Sequence, residues 1–126
     1  TVRDGQFRSF FNDFVNDLLK KDTIVFGEFK ALMHTCKHFT DLPRARMIFK
    51  SVFHSGQNLD VRSINTLLSI YKDVPCMPPL DDVFFFFERM GVRPDVFTIG
   101  LLLACCYRTA QPVSIVDRIF EEADAW

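Results

Sequence analysis

No run of eighteen apolar residues occurs in this 126-residue chain, so no segment has the length of a bilayer-spanning helix. Glycine numbers only 5 and proline 6, which excludes a collagen-like or low-complexity organisation. Cysteine is sparse as well: Cys36, Cys76, Cys105 and Cys106 lack CxxC spacing and fall short of the density of a secreted disulfide scaffold. Three of the four lie on apolar helix positions, which points to a reduced compartment and to cysteine used as a small hydrophobe. Neither sign of charge dominates. The formal net charge is -1, so no global positive field draws the chain onto nucleic acid, and any such contact must rest on a local surface. Also missing are a phosphate-cradling glycine loop, a nucleophile elbow and a carboxylate pair in a plausible cleft. The expectation is therefore a protein that is not an enzyme and that has no cofactor, no metal, no membrane association and no small-molecule substrate.

Phenylalanine is abundant, at 15 residues, within a chain that is 48% hydrophobic and 25% charged. That balance predicts one folded domain over residues 1–126 rather than a disordered tail. The chain opens on Thr1 with no signal or transit segment, so we expect either that one has been removed or that this is a piece of a longer protein.

The apolar residues repeat. Phe29, Leu32, Met33 and Cys36 have the i, i+3, i+4, i+7 spacing of one helix face, and the pattern returns at Ile64, Leu67, Leu68 and Tyr71 and at Ile99, Leu102, Leu103 and Cys106. Each set is displaced by 35 residues from the last. Partner faces interleave with these: Ala45, Ile48, Phe49, Val52; Val83, Phe86, Phe87, Met90; and Val116, Ile119, Phe120, Ala123. Near the start, Phe11, Phe14, Val15 and Leu18 predict one more helix, the second of a unit whose first helix is missing. Pro43 and Pro112 sit near second-helix starts, where a missing amide proton costs little, and Gly56 and Gly91 follow second helices as stops. Asp73 to Pro79, with Pro75, Pro78 and Pro79, predicts a longer turn. A helix pair of this kind cannot bury its face alone, so the units are expected to stack, with first helices lining a concave surface.

The 35-residue step, the junction Gly91-Val92-Arg93-Pro94-Asp95-Val96 leading into Phe97-Thr98, and Asn65-Thr66-Leu67-Leu68 together resemble the pentatricopeptide repeat family. Ala45 to Phe49 and Ile119 to Glu122 resemble the core of its second helix. The resemblance covers nearly the whole chain. It implies an all-α, right-handed α-solenoid of helix-turn-helix repeats, with repeats at 27–61, 62–96 and 97–126 and a partial one at 1–26. In the middle repeat, the long turn is balanced by a shortened linker after Met90.

Members of that family typically read single-stranded RNA at one nucleotide per repeat. The resemblance therefore assigns base reading to Lys30, Asn65 and Gly100 on the first helices and to Asp60 and Asp95 at the repeat ends. Asn65 with Asp95 matches the combination that prefers uridine. An amide can meet a pyrimidine's Watson-Crick edge while the carboxylate orients it. Lys30 with Asp60 falls outside the usual code, and a contact between the two would consume both groups, so no base selectivity is expected there. Gly100 offers no side chain. The flanking position is occupied by Gly27, Arg62 and Phe97, so Arg62 and Phe97 are the candidates to stack on a base. Lys30, Lys37, Lys72 and Arg108 are candidates for phosphate contact, or else solvated charges, and Asp73 stands where one further basic residue is expected.

His34, Cys36 and His38 superficially suggest a metal pair but lack further ligands nearby. Adjacent Cys105 and Cys106 point different ways on a helix and read as core rather than as a dithiol. In the run Phe84 to Phe87, two rings must leave the helix's own stripe, for burial against the next repeat or for a protein-contact patch. Two functions remain open. One is an organellar RNA-binding repeat protein, with mitochondria expected ahead of chloroplasts, acting in RNA processing, stability or translation. The other is a scaffold subunit of a ribonucleoprotein such as the mitochondrial ribosome, whose partners are ribosomal RNA and neighbouring protein subunits.

Overall fold

The computed structural model describes residues 26–56 and 59–125, together with Asp13 and Asn16. It is all-helical over those residues, with six helices: α1 (Phe26–His38), α2 (Leu42–His54), α3 (Val61–Asp73), α4 (Leu80–Met90), α5 (Val96–Arg108) and α6 (Val113–Asp124). The early helix predicted from Phe11, Phe14, Val15 and Leu18 lies outside the described residues.

α1, α3 and α5 are each 13 residues long and begin 35 residues apart. α3 packs against both α1 and α5, α2 lies on α1 and α3, and α6 lies on α5. The odd helices therefore form a row, and their buried residues are those of the repeated stripe. Phe29, Leu32, Met33, Cys36, Ile64, Leu67, Leu68, Tyr71, Leu102 and Cys106 are all buried, while Ile99 and Leu103 are half-buried against them.

Helix starts follow local chemistry. Asp41, Asp60 and Asp95 cap α2, α3 and α5, accepting from the amides of Arg44, Ser63 and Thr98 respectively. α4 and α6 begin instead after Pro79 and Pro112, which have no side-chain cap.

The turns that end the odd helices share a bond. The amides of Asp41, Cys76 and Gln111 donate to the carbonyls of Cys36, Tyr71 and Cys106, at 2.8, 2.9 and 2.9 Å. These residues are again 35 apart. In the outer two turns, the residue before the donor is left-handed: Thr40 has φ 49° and Ala110 φ 52°. The equivalent middle position is Pro75, whose ring fixes φ near about -65°, so that conformation is closed to it. The chain there takes a longer route, from Val74 to Pro79, before α4 begins. α4 is correspondingly short, at 11 residues, and the link from it to α5 is one residue shorter than the link from α2 to α3. The expected insertion and its compensation are both present, which keeps α5 in step with α3.

This longer route changes how α4 packs. Its backbone makes little close approach to the other helices, and large side chains bridge the gap. Its buried face is Leu80, Val83, Phe84 and Phe87, not the expected Val83, Phe86, Phe87 and Met90. Phe86 and Met90 are half-buried and Phe85 is 52% exposed. Of the two rings off the expected stripe, Phe84 is buried and Phe85 is not. Phe86 meets Phe49 and Phe53 of α2 at centroid distances of 5.0 and 4.7 Å, both edge-on, and Phe85 meets Phe53 at 6.2 Å. A helix with apolar residues at 80, 83, 84, 85, 86, 87 and 90 has two usable faces: one is buried, and the other meets the rings of α2. A second correction concerns Phe120, placed on the core face by spacing but 47% exposed. Ile119 is the one fully buried residue of α6. An Arg118–Asp81 ion pair ties α6 to α4.

Candidate functional site

Between α3 and α5 lies an open concavity of about 890 Å³. The helix spacing of 3.6 residues per turn sends Ile64, Leu67, Leu68 and Tyr71 into the core. Arg62, Asn65, Thr66, Ser69 and Lys72, on the other side of the same helix, line the concavity. α5 and its cap add Asp95, Phe97, Gly100 and Leu101, and α1 adds Lys37. Arg62, Phe97, Lys37 and Gly100 are exposed, Phe97 by 72%.

At the centre is a hydrogen-bonded trio. Asn65 Nδ2 donates to Asp95 Oδ1 at 3.1 Å, across 30 residues of sequence. Thr98 Oγ1 lies 2.7 Å from Asn65 Oδ1 and 2.9 Å from Asp95 Oδ1, within donating reach of both. A carboxylate can only accept, so the amide nitrogen must face Asp95, and Asn65 Oδ1 then lies beside the Thr98 hydroxyl. The amide is thus held in one orientation. Thr98 is fully buried, and its amide donates to Asp95 Oδ1 at 2.8 Å while the Asp95 amide donates to Thr98 Oγ1 at 3.2 Å. One aspartate therefore both starts α5 and orients a residue of α3.

The same contacts set the charge of Asp95. Partial burial pushes its carboxyl upward. That is outweighed by donors from the Thr98 amide and hydroxyl, the Asn65 amide and the Phe97 amide, so the group lies below the ordinary aspartate value. It is a firm anion at neutral pH.

The structure brings Lys37, Arg62, Asn65, Lys72, Asp95, Phe97 and Gly100 to one surface. Lys30, Asp60 and Arg108 are not among the residues lining it. Asp60 Oδ1 accepts from the Ser63 amide at 3.0 Å and from the Ser63 hydroxyl at 2.9 Å, so this carboxylate serves the start of α3. Arg108 is exposed in the last turn of α5. Lys72 Nζ lies 4.0 Å from Asp73 Oδ1, which offsets part of its charge.

Sequence reasoning missed Thr98. The signal was available, because an aspartate followed three residues later by a hydrogen-bonding side chain is the spacing of a capping box, which Asp95 and Thr98 form. Tyr107 was missed too. It is 88% exposed and occupies on α5 the register position of Lys37 and Lys72.

His34 and His38 are exposed on α1, and no cluster of three or more metal-binding side chains occurs among the described residues. Cys36, Cys105 and Cys106 are buried. Burial drives the Cys36 thiol up to about 12 and the Cys105 thiol to about 11, and raises Cys106 as well. These thiols pack rather than react. Among the described residues, no helix is long and apolar enough to cross a membrane. No family model, curated protein or solved structure matches the chain.

Proposed function

We propose that this chain is a pentatricopeptide-like helical-repeat protein that contacts single-stranded RNA on the surface between α3 and α5. The proposed architecture is a right-handed solenoid with the odd helices on its concave side. The observation that carries the reading is the Asn65–Asp95–Thr98 trio in a concavity also lined by Arg62, Phe97, Lys37 and Lys72.

The chemistry suits a pyrimidine. Asn65 Nδ2 has a second N–H beyond the one given to Asp95. At uracil O4 that donor meets an acceptor, whereas the N4 amine of cytosine sets donor against donor. A base held between the Arg62 guanidinium and the Phe97 ring gains roughly 1–3 kcal/mol from stacking. The two lysines supply phosphate contacts. One equipped repeat gives weak selectivity, and with a net charge of -1 the affinity rests on this local surface. The proposed location, suggested by the family resemblance alone, is an organelle, with mitochondria first.

A second reading is a scaffold subunit of an organellar ribonucleoprotein that makes mainly protein contacts. It is favoured by Phe85, an aromatic 52% exposed on α4 away from the concavity.

Binding of the full chain to oligo(U), oligo(A) and oligo(C) across a salt series separates the two. Base reading predicts a preference for oligo(U) that is lost in Asn65→Ala/Asp95→Ala. Equal, weak binding to all three, steep in salt and indifferent to the double substitution, rejects base reading and leaves the scaffold role.

A further inference from the structure

On the side of α3 opposite the concavity, the long turn before α4 leaves a half-open pocket of about 290 Å³ between α2 and α4. Its floor is formed by Ile64, Leu67, Leu68 and Tyr71, and rings of Phe49, Phe53 and Phe86 stand beside it. Phe85 lines it too and is 52% exposed. Arg46, Lys50 and His54, successive at i, i+4 and i+8 on α2, are exposed along one side. Among the described residues, neither Arg46 nor Lys50 forms an ion pair. Asp82 is the sole carboxylate among the described lining residues.

We propose that this pocket is a docking socket for an acidic segment of a partner protein. The segment inserts one Phe, Leu or Trp side chain between α2 and α4 and sets aspartates or glutamates against the Arg46–Lys50–His54 row. Three observations select that occupant. The volume, about 290 Å³, accommodates one large apolar side chain. Apart from the Tyr71 hydroxyl, the wall that α3 contributes is aliphatic, which favours an apolar anchor over the polar edge of a nucleobase. The unpaired cations of α2 call for negative charge on whatever lies beside the apolar anchor. An anchor in a pocket ringed by polar contacts is the usual distribution of energy at a protein interface. The socket shares no residue with the α3–α5 concavity, and the proposal holds whether or not that surface binds RNA.

Selection of short random peptides displayed on phage against the full folded chain tests this, followed by titration of the enriched peptides after fluorescent labelling. The expected winners carry one Phe, Leu or Trp with Asp or Glu within a helical turn. Arg46→Glu/Lys50→Glu should weaken them about tenfold or more. Phe85→Ser should weaken them as well; the melt of Arg46→Glu/Lys50→Glu should match the parent, and Phe85→Ser, which gives up its ring contact with Phe53, should melt slightly lower but still cooperatively. Saturating oligo(U) should not displace the peptides. Failure to enrich any peptide, enrichment of basic or purely polar peptides, indifference to both substitutions, or displacement by oligo(U) would each overturn the proposal.

Discussion

Asp60 and Asp95 provide an internal control for the cross-helix contact at the candidate site. Both cap a 13-residue helix from extended backbone, with φ -100° and ψ 173° and 179° respectively, and each accepts from the amide three residues on. Only Asp95 also accepts from Asn65 on the neighbouring helix. Asp60→Ala should therefore cost about 1 kcal/mol, the usual value of a cap. Asp95→Ala should cost about 1 kcal/mol more, because it also removes a hydrogen bond to a charged acceptor. With melting temperature moving roughly 4 °C per kcal/mol in a chain of this size, Asp95→Ala should melt about 4 °C below Asp60→Ala. The double-mutant cycle with Asn65→Ala should return a coupling of about 1 kcal/mol. The pH dependence has a definite sign. Because the folded Asp95 carboxyl lies below its ordinary value, its stabilisation is fully present above about pH 4 and is lost as pH falls through the lowered value. Urea and thermal melts of the parent, the three single variants and the Asn65→Ala/Asp95→Ala double at pH 7 and pH 3 measure all of this. Equal losses for Asp60→Ala and Asp95→Ala, or a coupling near zero at pH 7, would refute the claim that Asp95 holds Asn65.

Gly91 has φ 66° at the end of α4, and a Cβ there would meet nothing within 4 Å, so Gly91→Ala should cost about 1 kcal/mol of backbone strain alone, read as a shift in the urea midpoint. Ala110, at φ 52°, stands in the opposite situation: Ala110→Gly should stabilise by about 0.5 kcal/mol, and a loss would show that the turn is not left-handed. Truncating Phe49, which is buried and touches both Phe29 and Phe86, should cost about 3–5 kcal/mol as Phe49→Ala, checked by chemical denaturation. In thiol labelling at neutral pH, half-buried Cys76 should react while Cys36, Cys105 and Cys106 wait for denaturant, and rapid labelling of all four would contradict the packing described.

α1 and α3 were the most legible, because in α3 polar residues at 62, 65, 66, 69 and 72 separate the apolar ones, whereas the more apolar α5 also buries Cys105 and leaves Ile99 and Leu103 half-buried. The candidate site was legible in part: a strict 35-residue register carries Arg62 to Phe97 and Lys37 to Lys72 by counting alone, but Lys30, Asp60 and Arg108 do not line the concavity and Thr98 was missed. Its bonding was not. That Asn65 is oriented by Asp95 and Thr98 together depends on how closely α5 lies against α3, a distance no spacing in the chain encodes. α4 was misjudged because seven of its eleven residues are apolar, at positions serving two faces.

The amino-acid order by itself determined the all-helical class, the length and step of α1, α3 and α5, the capping aspartates and the place of the long turn. Each of these is a local property, set by periodicity, by hydrogen bonds within a few residues, or by the fixed φ of a proline. Only the tertiary structure decided which face of α4 is buried, that Phe120 is partly exposed, and that a pocket opens between α2 and α4. The pocket and the face of α4 depend on how α4 lies against α2 after the long turn that contains Pro75, a non-local packing choice that sequence pattern leaves open.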